Sequence, residues 1–303
     1  MKNKKVPVLF CVFKRIEAIE AFEPIRQYQP GRLYIAADGP RDHVKGEKEE
    51  CEKVRQMVLS KVDWPCEVKT LFREKNLGCT GAINGAISWF FEQEEYGVIN
   101  EDDIVLSQDF FKMCEILLPK YKNEERIMHI NSHNYKSKLL KSNEYVFSYF
   151  AKVWGWATWR RAWQKNTKVF SDWSRFPKYS LIKRYGLFQG LLTIWHYYRC
   201  ANPNVDFGSW DYTWSYHIEK NNGVIISPKV HLSNNIGIGV ADSSNYSENS
   251  EDFYSKGCIG EIKWPLTIWD EIKVDAEQLD IDKKDYLYIH LRTYKNKLTQ
   301  WIR

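Results

Sequence analysis

Three consecutive carboxylates, Glu101, Asp102 and Asp103, follow an apolar run that begins at Tyr96. A strand that delivers adjacent acids to the edge of a sheet is electrostatically unfavourable unless a cation lies there. Carboxylate oxygens are hard ligands that suit Mg²⁺ or Mn²⁺, and these ions commonly carry the phosphates of a bound ligand. The triplet therefore predicts a metal-dependent site for a phosphorylated ligand, with a solvated acidic turn as the alternative.

Three other polar residues are candidates for the same site. Asp38 ends an apolar run and could accept a hydrogen bond from a base N–H, such as uracil N3, or from ribose, although Asp-Gly-Pro also makes a plain turn. Arg15 could bind a base or a diphosphate, or be a surface residue where a helix starts. His231 is a candidate ligand that would complete the metal site, because imidazole binds Mn²⁺ tolerably.

Two aromatic motifs add candidate residues. Gly155 stands between Trp154 and Trp156, which suggests a backbone that approaches another group closely, with flat walls on which a sugar can stack. The alternative for these tryptophans is a buried aromatic core. Asp211 follows Trp210 in an apolar setting that raises a carboxyl pKa, as a general base requires, or it caps the helix that follows.

The elements that must position these residues alternate between strands and helices. Apolar or alternating runs predict strands, and amphipathic segments between them predict helices. The strands are expected at 6–13, 32–37, 66–72 and 96–103, and one long helix is expected later, at 180–199. This order predicts an α/β fold with a mostly parallel central sheet, whose ligands bind at the carboxyl ends of the strands. Asp38 and the acidic triplet should then share one crevice.

The composition excludes several classes of protein. The chain has 303 residues, a net charge of +5 and 27% charged residues, which fits a globular protein that meets an anionic small ligand or a membrane surface better than a nucleic-acid binder. Seven scattered cysteines without a Cys-x-x-Cys pair indicate reduced thiols in a cytoplasmic protein. No apolar run is long enough to predict a transmembrane helix.

The order of these motifs resembles that of the GT-A fold nucleotide-sugar glycosyltransferases, over roughly residues 5–240. It is similar to the bacterial family-2-like enzymes of polysaccharide synthesis and, in motif order, to the N-acetylglucosaminyltransferase I enzymes. The resemblance implies a Rossmann-like GT-A domain at 1–240, with a nucleotide-binding half at 1–125, an acceptor half at 126–240 and a C-terminal extension at 241–303.

The resemblance also implies roles for individual residues. Asp38 would bind the uracil, Asp103 would bind Mn²⁺, Gly155 and Trp156 would border the donor sugar and the acceptor, and Asp211 would be the catalytic base. With the candidates above, the expected sites are as follows: the donor nucleotide at Arg15, Asp38, Glu101 and Asp102; the sugar and acceptor at Gly155, Trp156 and Trp210; and the Mn²⁺ or Mg²⁺ ion at Asp103 and His231.

The activity so implied is inverting, metal-dependent transfer from a nucleotide-diphosphate sugar, best a UDP-sugar, to a hydroxyl of a glycan or lipid-linked acceptor. One alternative is a sugar nucleotidyltransferase, but the loop after the first strand, Phe13 to Ile16, lacks the glycines that class usually carries. The other is a non-catalytic carbohydrate-binding protein on the same scaffold. Two departures from the family pattern are Asn100 before the acids and Pro24, which should kink or end the first helix.

The end of the chain carries a further prediction. Apolar residues from Leu287 to Trp301 recur at helical spacing beside lysines and arginines, so Tyr286 to Arg303 is expected to be an amphipathic helix. Such a helix could dock on the inner face of a membrane, where lipid-linked acceptors are presented, or pack on the domain.

Overall fold

The structure is a computed structural model that describes residues 5–134, 137, 139–167, 170, 172–202, 210–237 and 258–287. The strands in these ranges are β1 (Val8–Val12), β2 (Arg32–Ala37), β3 (Glu67–Phe72), β4 (Tyr96–Glu101), β5 (Ile104–Leu106), β6 (Ile127–Asn131), β7 (Lys141–Ser142), β8 (Tyr145–Ser148), β9 (Trp156–Trp159), β10 (Val224–Pro228), β11 (Ser233–Asn235) and β12 (Glu261–Ile262). The helices are α1 (Ala18–Tyr28), α2 (Glu47–Ser60), α3 (Gly78–Gln93), α4 (Gln108–Lys120), α5 (Arg160–Trp163), α6 (Tyr179–Tyr185), α7 (Leu187–Cys200), α8 (Asp211–Lys220) and α9 (276–287).

The central sheet has eight strands in the order β3-β2-β1-β4-β9-β6-β10-β8. All of its strands except β9 and β8 run in one direction. From β1 the chain winds outward to β2 and β3, and then returns to place β4 on the other side of β1. The fold is therefore α/β with a mostly parallel, Rossmann-like sheet, as predicted, and its topological switch point lies between β1 and β4.

The core lies on both faces of this sheet. In β1, Val8, Phe10 and Val12 belong to one apolar cluster, and Leu9 and Cys11 belong to the cluster on the opposite face. Successive side chains of a strand point to opposite faces, so a strand covered by helices on both sides must be apolar throughout. This explains why the first strand reads as a continuous apolar run.

Two helices differ from expectation. Of the two outcomes expected at Pro24, a kink or an early end, the early end is wrong, because Pro24 lies inside α1, which continues to Tyr28. The long helix expected at 180–199 is two helices, α6 and α7, separated by Gly186. Gly186 has a φ of 84°, a left-handed conformation that glycine adopts without steric cost.

Residues 258–287, assigned from the sequence to an extension, pack onto the same core. The indole Nε1 of Trp264 donates to Asp109 Oδ1 at 3.0 Å, and that of Trp269 donates to the Tyr145 carbonyl at 2.9 Å. Most of the amphipathic helix expected at Tyr286 to Arg303 lies outside the described residues. Among the helices that are described, none is long and apolar enough to span a membrane.

Candidate active site

The carboxyl ends of β1 and β4 lie side by side, with Cys11 paired with Glu101. Asp102 and Asp103 form the turn that follows. Arg15, just after β1, donates from Nη1 to Asp102 Oδ1 at 3.2 Å and to Asp103 Oδ2 at 2.9 Å. The backbone N–H of Phe13 donates to Asp102 Oδ2 at 3.2 Å. The fold thus brings Arg15 and the acidic triplet together at the switch point.

Negative charge at this point exceeds what Arg15 compensates. Burial, followed by repulsion from Asp103, Asp102 and Asp211, raises the pKa of Glu101 well above its usual value. Burial also raises the pKa of Asp102 to about 6, although Arg15 opposes the change. Carboxylates that raise one another's pKa in this way form a site that favours an additional cation.

Asp211, the candidate base, lies in the same electrostatic neighbourhood. It is the first residue of α8, whose N-cap residue is Trp210 with no side-chain capping bond, so Asp211 is not the cap. Asp211 and Asp103 both lie close enough to Cys79 for their negative charges to raise the pKa of its thiol. That pKa is raised to about 12, first by burial and then by the surrounding carboxylates. We call Arg15, Glu101, Asp102, Asp103 and Asp211 the acidic edge.

Asp38 lies at the end of β2, as predicted, but its carboxylate is engaged by backbone. Asp38 Oδ1 accepts from the N–H groups of Gly39 at 2.9 Å and Leu77 at 3.0 Å. A Cβ on Gly39 would lie 2.4 Å from the backbone of Lys75, so the two loops touch there. Asp38 therefore holds the loop that leads into α3, and its contact with a base remains a prediction.

The tryptophans of the predicted sugar platform are core residues. Trp156 is fully buried and stacks on His129 at 4.8 Å and on Trp210 at 5.7 Å between ring centroids. Trp210 is only 4% exposed. The interpretation of Trp156 as a wall for a sugar is therefore corrected, because the apolar face of the sheet needs its volume; Trp210, expected at the sugar and acceptor site, is buried beside it, and the other expected wall, Trp154, is only partly buried.

Gly155 does make the close approach that its position suggested, but the partner is the protein itself. Its φ is 70°, and a Cβ there would lie 2.5 Å from Leu106 Cδ2 and 3.2 Å from Asn100 Oδ1. The absence of a side chain thus allows the segment before β9 to pack against the strands that carry the acidic turn.

His231 is not brought to Asp103. Strands β5 and β11 are antiparallel, with Asn235 opposite Ile104 at the end nearest Asp103 and Ser233 opposite Leu106 at the other end. His231 precedes Ser233 and so lies beyond the end that is remote from Asp103. Instead, its Nδ1 accepts from the Asn134 N–H at 3.3 Å. The assignment of His231 to a metal site shared with Asp103 therefore has no geometric support. Within the described residues, no group of three His, Cys, Asp or Glu side chains is arranged to hold a metal ion.

His231 belongs instead to a buried cluster near the carboxyl end of β6. Lys152 Nζ lies 2.9 Å from Asp282 Oδ1 of α9, and Gln278 joins Asn134 to Asp282. Burial lowers the pKa of His129 to about 3 and that of His231 to about 4, so these imidazoles are neutral. We call this the polar network; its members are His129, His133, Asn134, Lys152, His231, Gln278 and Asp282.

Two residues that support the acidic turn were not assigned from the sequence. Asn100 Nδ2 donates to the Ile104 carbonyl at 2.8 Å and so ties the two arms of the turn together. A Cβ on Gly237 would lie 2.6 Å from Asp103 Oδ2. Asn100 did give a signal, as a polar residue in an apolar strand, whereas Gly237 gave none because its contact is distant in sequence.

Comparison with known proteins adds little to this geometry. No protein-family profile matches the chain, and no curated protein matches it. Among solved structures, HddC from Yersinia pseudotuberculosis is similar with a TM-score of 0.32 and 7% identity, over 52% of this chain and 77% of that one. The inositol-1-phosphate CTP transferase from T. maritima has a TM-score of 0.36 and 8% identity, over 86% of this chain and 98% of that one. Both TM-scores are too low to carry an argument about activity.

Proposed function

We propose that this protein is an inverting, metal-dependent glycosyltransferase. It would move a sugar from a nucleotide-diphosphate donor, most suitably a UDP-sugar, to a hydroxyl of a glycan or lipid-linked acceptor. The observation that carries the proposal is the acidic edge: a buried excess of negative charge at the switch point of a parallel sheet, with Asp211 in the same neighbourhood as the triplet.

The acidic edge offers the type of oxygen that a hard divalent cation prefers, although no three of its side chains are arranged to hold one in the described residues. Its oxygens are carboxylates, and their raised pKa values show that Arg15 alone leaves negative charge uncompensated. Asp103, half-buried and in the turn, would hold Mn²⁺ or Mg²⁺, which when bound supplies charge neutralisation for the departing diphosphate. Arg15 already lies against this carboxylate and would bind phosphate oxygens.

Asp211 would act as the general base. Its carboxylate would take the proton of the acceptor hydroxyl as the hydroxyl attacks the anomeric carbon from the face opposite the diphosphate. One such displacement inverts the anomeric centre.

The test is a pair of substitutions with one control. Because proton transfer to a positioned base contributes about 10²- to 10⁴-fold, Asp211→Asn should lower the transfer rate by about 10³-fold and leave donor affinity nearly unchanged. Asp103→Ala should abolish metal-dependent donor binding as well. Asp42→Asn, which changes an exposed acid elsewhere, should alter neither. Normal turnover by Asp211→Asn would show that the base is another group.

The donor must be found first. A thermal-shift screen of UDP-, GDP-, CMP- and dTDP-sugars, with and without Mn²⁺, would identify it by a metal-dependent rise in melting temperature. The same preparation should then be mixed with a sugar phosphate and a nucleoside triphosphate. Release of pyrophosphate would indicate a nucleotidyltransferase, and donor binding without transfer or hydrolysis would indicate a non-catalytic binding protein.

A further inference from the structure

Helices α6 and α7 form a hairpin with an apolar face that is open to solvent. Five exposed side chains lie on one side of α7 by helical spacing, and Tyr179 at the start of α6 is exposed as well; the five are Leu187, Phe188, Leu191, Trp195 and Tyr198. Leu187 is 68% exposed and Tyr198 is 65% exposed, although a soluble helix normally turns such residues inward. A contiguous patch of large apolar side chains marks a surface that meets something apolar.

The hairpin is firmly mounted on the body of the protein. The opposite side of α7 is buried, and Tyr197 there donates its hydroxyl proton to Glu219 Oε1 of α8 at 2.8 Å. His196 stacks on Tyr212 with ring centroids 5.7 Å apart. Helix α7, which carries the apolar face, therefore packs directly on α8. Helix α8 begins with Asp211, the candidate base.

The charges of the hairpin have a single sign. Residues 179–200 contain no aspartate or glutamate, and their basic residues are Lys183, Arg184 and Arg199. An apolar, aromatic face accompanied only by positive charge is the composition of helices that lie in the interface of an anionic membrane. With 14 residues, α7 is too short to cross a bilayer and would lie along its surface.

We propose that the α6–α7 hairpin docks this protein on an anionic lipid surface. Leu187, Phe188 and Leu191 enter the boundary between headgroups and acyl chains, and Lys183 contacts lipid phosphates. The docking does not depend on glycosyl transfer, because it rests on the apolar face and its charge alone.

Charge also argues against two other occupants of the face. The last 16 residues, 288–303, contain basic residues and no acid, so they would be repelled by the hairpin. A second copy of the chain that used the same face would likewise bring basic residues against basic residues. An anionic surface, by contrast, attracts all of these charges.

Vesicle co-sedimentation tests the proposal. The full chain should bind vesicles of phosphatidylcholine that contain about 30% phosphatidylglycerol, and bind vesicles of pure phosphatidylcholine at least about tenfold more weakly. Added salt should weaken the binding because it screens the attraction. Equal affinity for the two kinds of vesicle, or no binding to either, would overturn the proposal.

Matched variants locate the contact. The double variant Phe188→Ser/Leu191→Ser should weaken binding by at least about tenfold, and Lys183→Glu by about tenfold. The controls change equally exposed residues elsewhere, Leu140→Ser and Lys48→Glu, and should bind like the parent chain. We expect each variant to be folded, because the substituted residues are exposed. Thermal melting followed by circular dichroism checks this.

Three results would contradict the docking surface. Hairpin variants that bind anionic vesicles like the parent, while removal of 288–303 abolishes binding, would assign the contact to the C-terminal segment. A dimer in size-exclusion chromatography that Phe188→Ser/Leu191→Ser dissociates would assign the face to a second copy. Equal losses in the hairpin variants and their controls would show that no particular surface is used.

Discussion

The acidic edge and the polar network lie at the same edge of one sheet but differ in how well their charges are compensated. In the acidic edge, burial and mutual repulsion raise the pKa values of Glu101 and Asp102 despite the bonds from Arg15. In the polar network, Lys152 pairs with Asp282, and the buried imidazoles remain neutral. One cluster is short of positive charge and the other is close to neutral.

This difference separates a candidate site from a structural cluster. A buried network whose opposite charges are paired fixes the arrangement of the segments that it joins, and here it joins β6, the loop around Lys152 and α9. A cluster with uncompensated charge is stabilised when a cation binds to it or when one of its carboxyl groups takes up a proton. Buried polar residues therefore do not indicate function by themselves, and the balance of charge among them is the better guide.

The largest effect that would sharpen this comparison is expected from Lys152→Met. The Asp282 carboxylate is fully buried, and without Lys152 it keeps only neutral donors, so unfolding free energy should fall by about 3–5 kcal/mol. Denaturant titration at about pH 8 measures this loss. Metal-dependent donor affinity of the folded variant should be unchanged, because Lys152 belongs to the polar network and not to the acidic edge.

Two controls accompany this variant. Lys165→Met removes a surface ion pair with Glu125 and should cost less than about 1 kcal/mol. The double variant Lys152→Met/Asp282→Asn removes the buried charge as well and should be more stable than Lys152→Met alone. A single variant as stable as the parent chain would mean that the network does not depend on this pair.

The fold could be predicted from the sequence much further than the site could. Apolar runs that end in Asp38 and in Glu101 identify strands and their carboxyl ends, because the side-chain pattern follows directly from burial on both faces. The crevice at the switch point follows from the same alternation. The side-chain pattern does not predict how the later strands pair. The sequence therefore could not show that the pairing of β11 with β5 keeps His231 away from Asp103.

The aromatic motifs failed for a different physical reason. A tryptophan supplies a ligand platform and core volume equally well, and only the packing of helices on the sheet decides between the two. Trp156 is in the core because β9 lies inside the sheet between β4 and β6, a position that local sequence does not encode. The role of Asn100 could have been predicted from the sequence, because a buried amide in a strand needs a hydrogen-bond partner. A backbone carbonyl just beyond the acidic turn, here that of Ile104, is a local candidate.

A smaller effect, the dependence of stability on pH, should come from the polar network. Trp214 Nε1 donates to His129 Nδ1 at 3.1 Å, and His129 Nε2 lies 3.1 Å from the Lys152 carbonyl, so the neutral ring has both nitrogens engaged. Burial lowers the folded pKa of His129 from 6.5 to about 3. The unfolded chain therefore binds the extra proton first, and this ring alone should lower stability as the pH drops below about 6.5, by about 3 kcal/mol at about pH 4, whereas the raised pKa values of Glu101 and Asp102 act in the opposite direction.

Denaturant titrations across this pH range measure the slope, and His129→Gln tests its origin. Glutamine can accept from Trp214 and donate to the same carbonyl but does not titrate, so the fall between about pH 6.5 and about pH 4 should become shallower. His133 and His231, whose pKa values are also lowered, contribute to the remaining slope with the same sign, and Glu101 and Asp102 with the opposite sign. An unchanged slope in His129→Gln would show that this ring is not the group that binds the proton on unfolding.

The smallest expected effect tests the acidic edge with a single methyl group. In Gly237→Ala, the new Cβ would lie 2.6 Å from Asp103 Oδ2 and 2.9 Å from Asp103 Cβ, so the Asp103 carboxylate and the turn that carries it must both shift. Metal-dependent donor affinity should fall by about tenfold, or about 1.4 kcal/mol, as isothermal titration would measure. Gly31→Ala adds the same methyl group where no atom lies within 4 Å, and should bind donor like the parent chain. If Gly237→Ala also bound donor and metal like the parent, the position of the Asp103 carboxylate would not matter to the ligand. The difference in charge between the acidic edge and the polar network would then not identify a functional site.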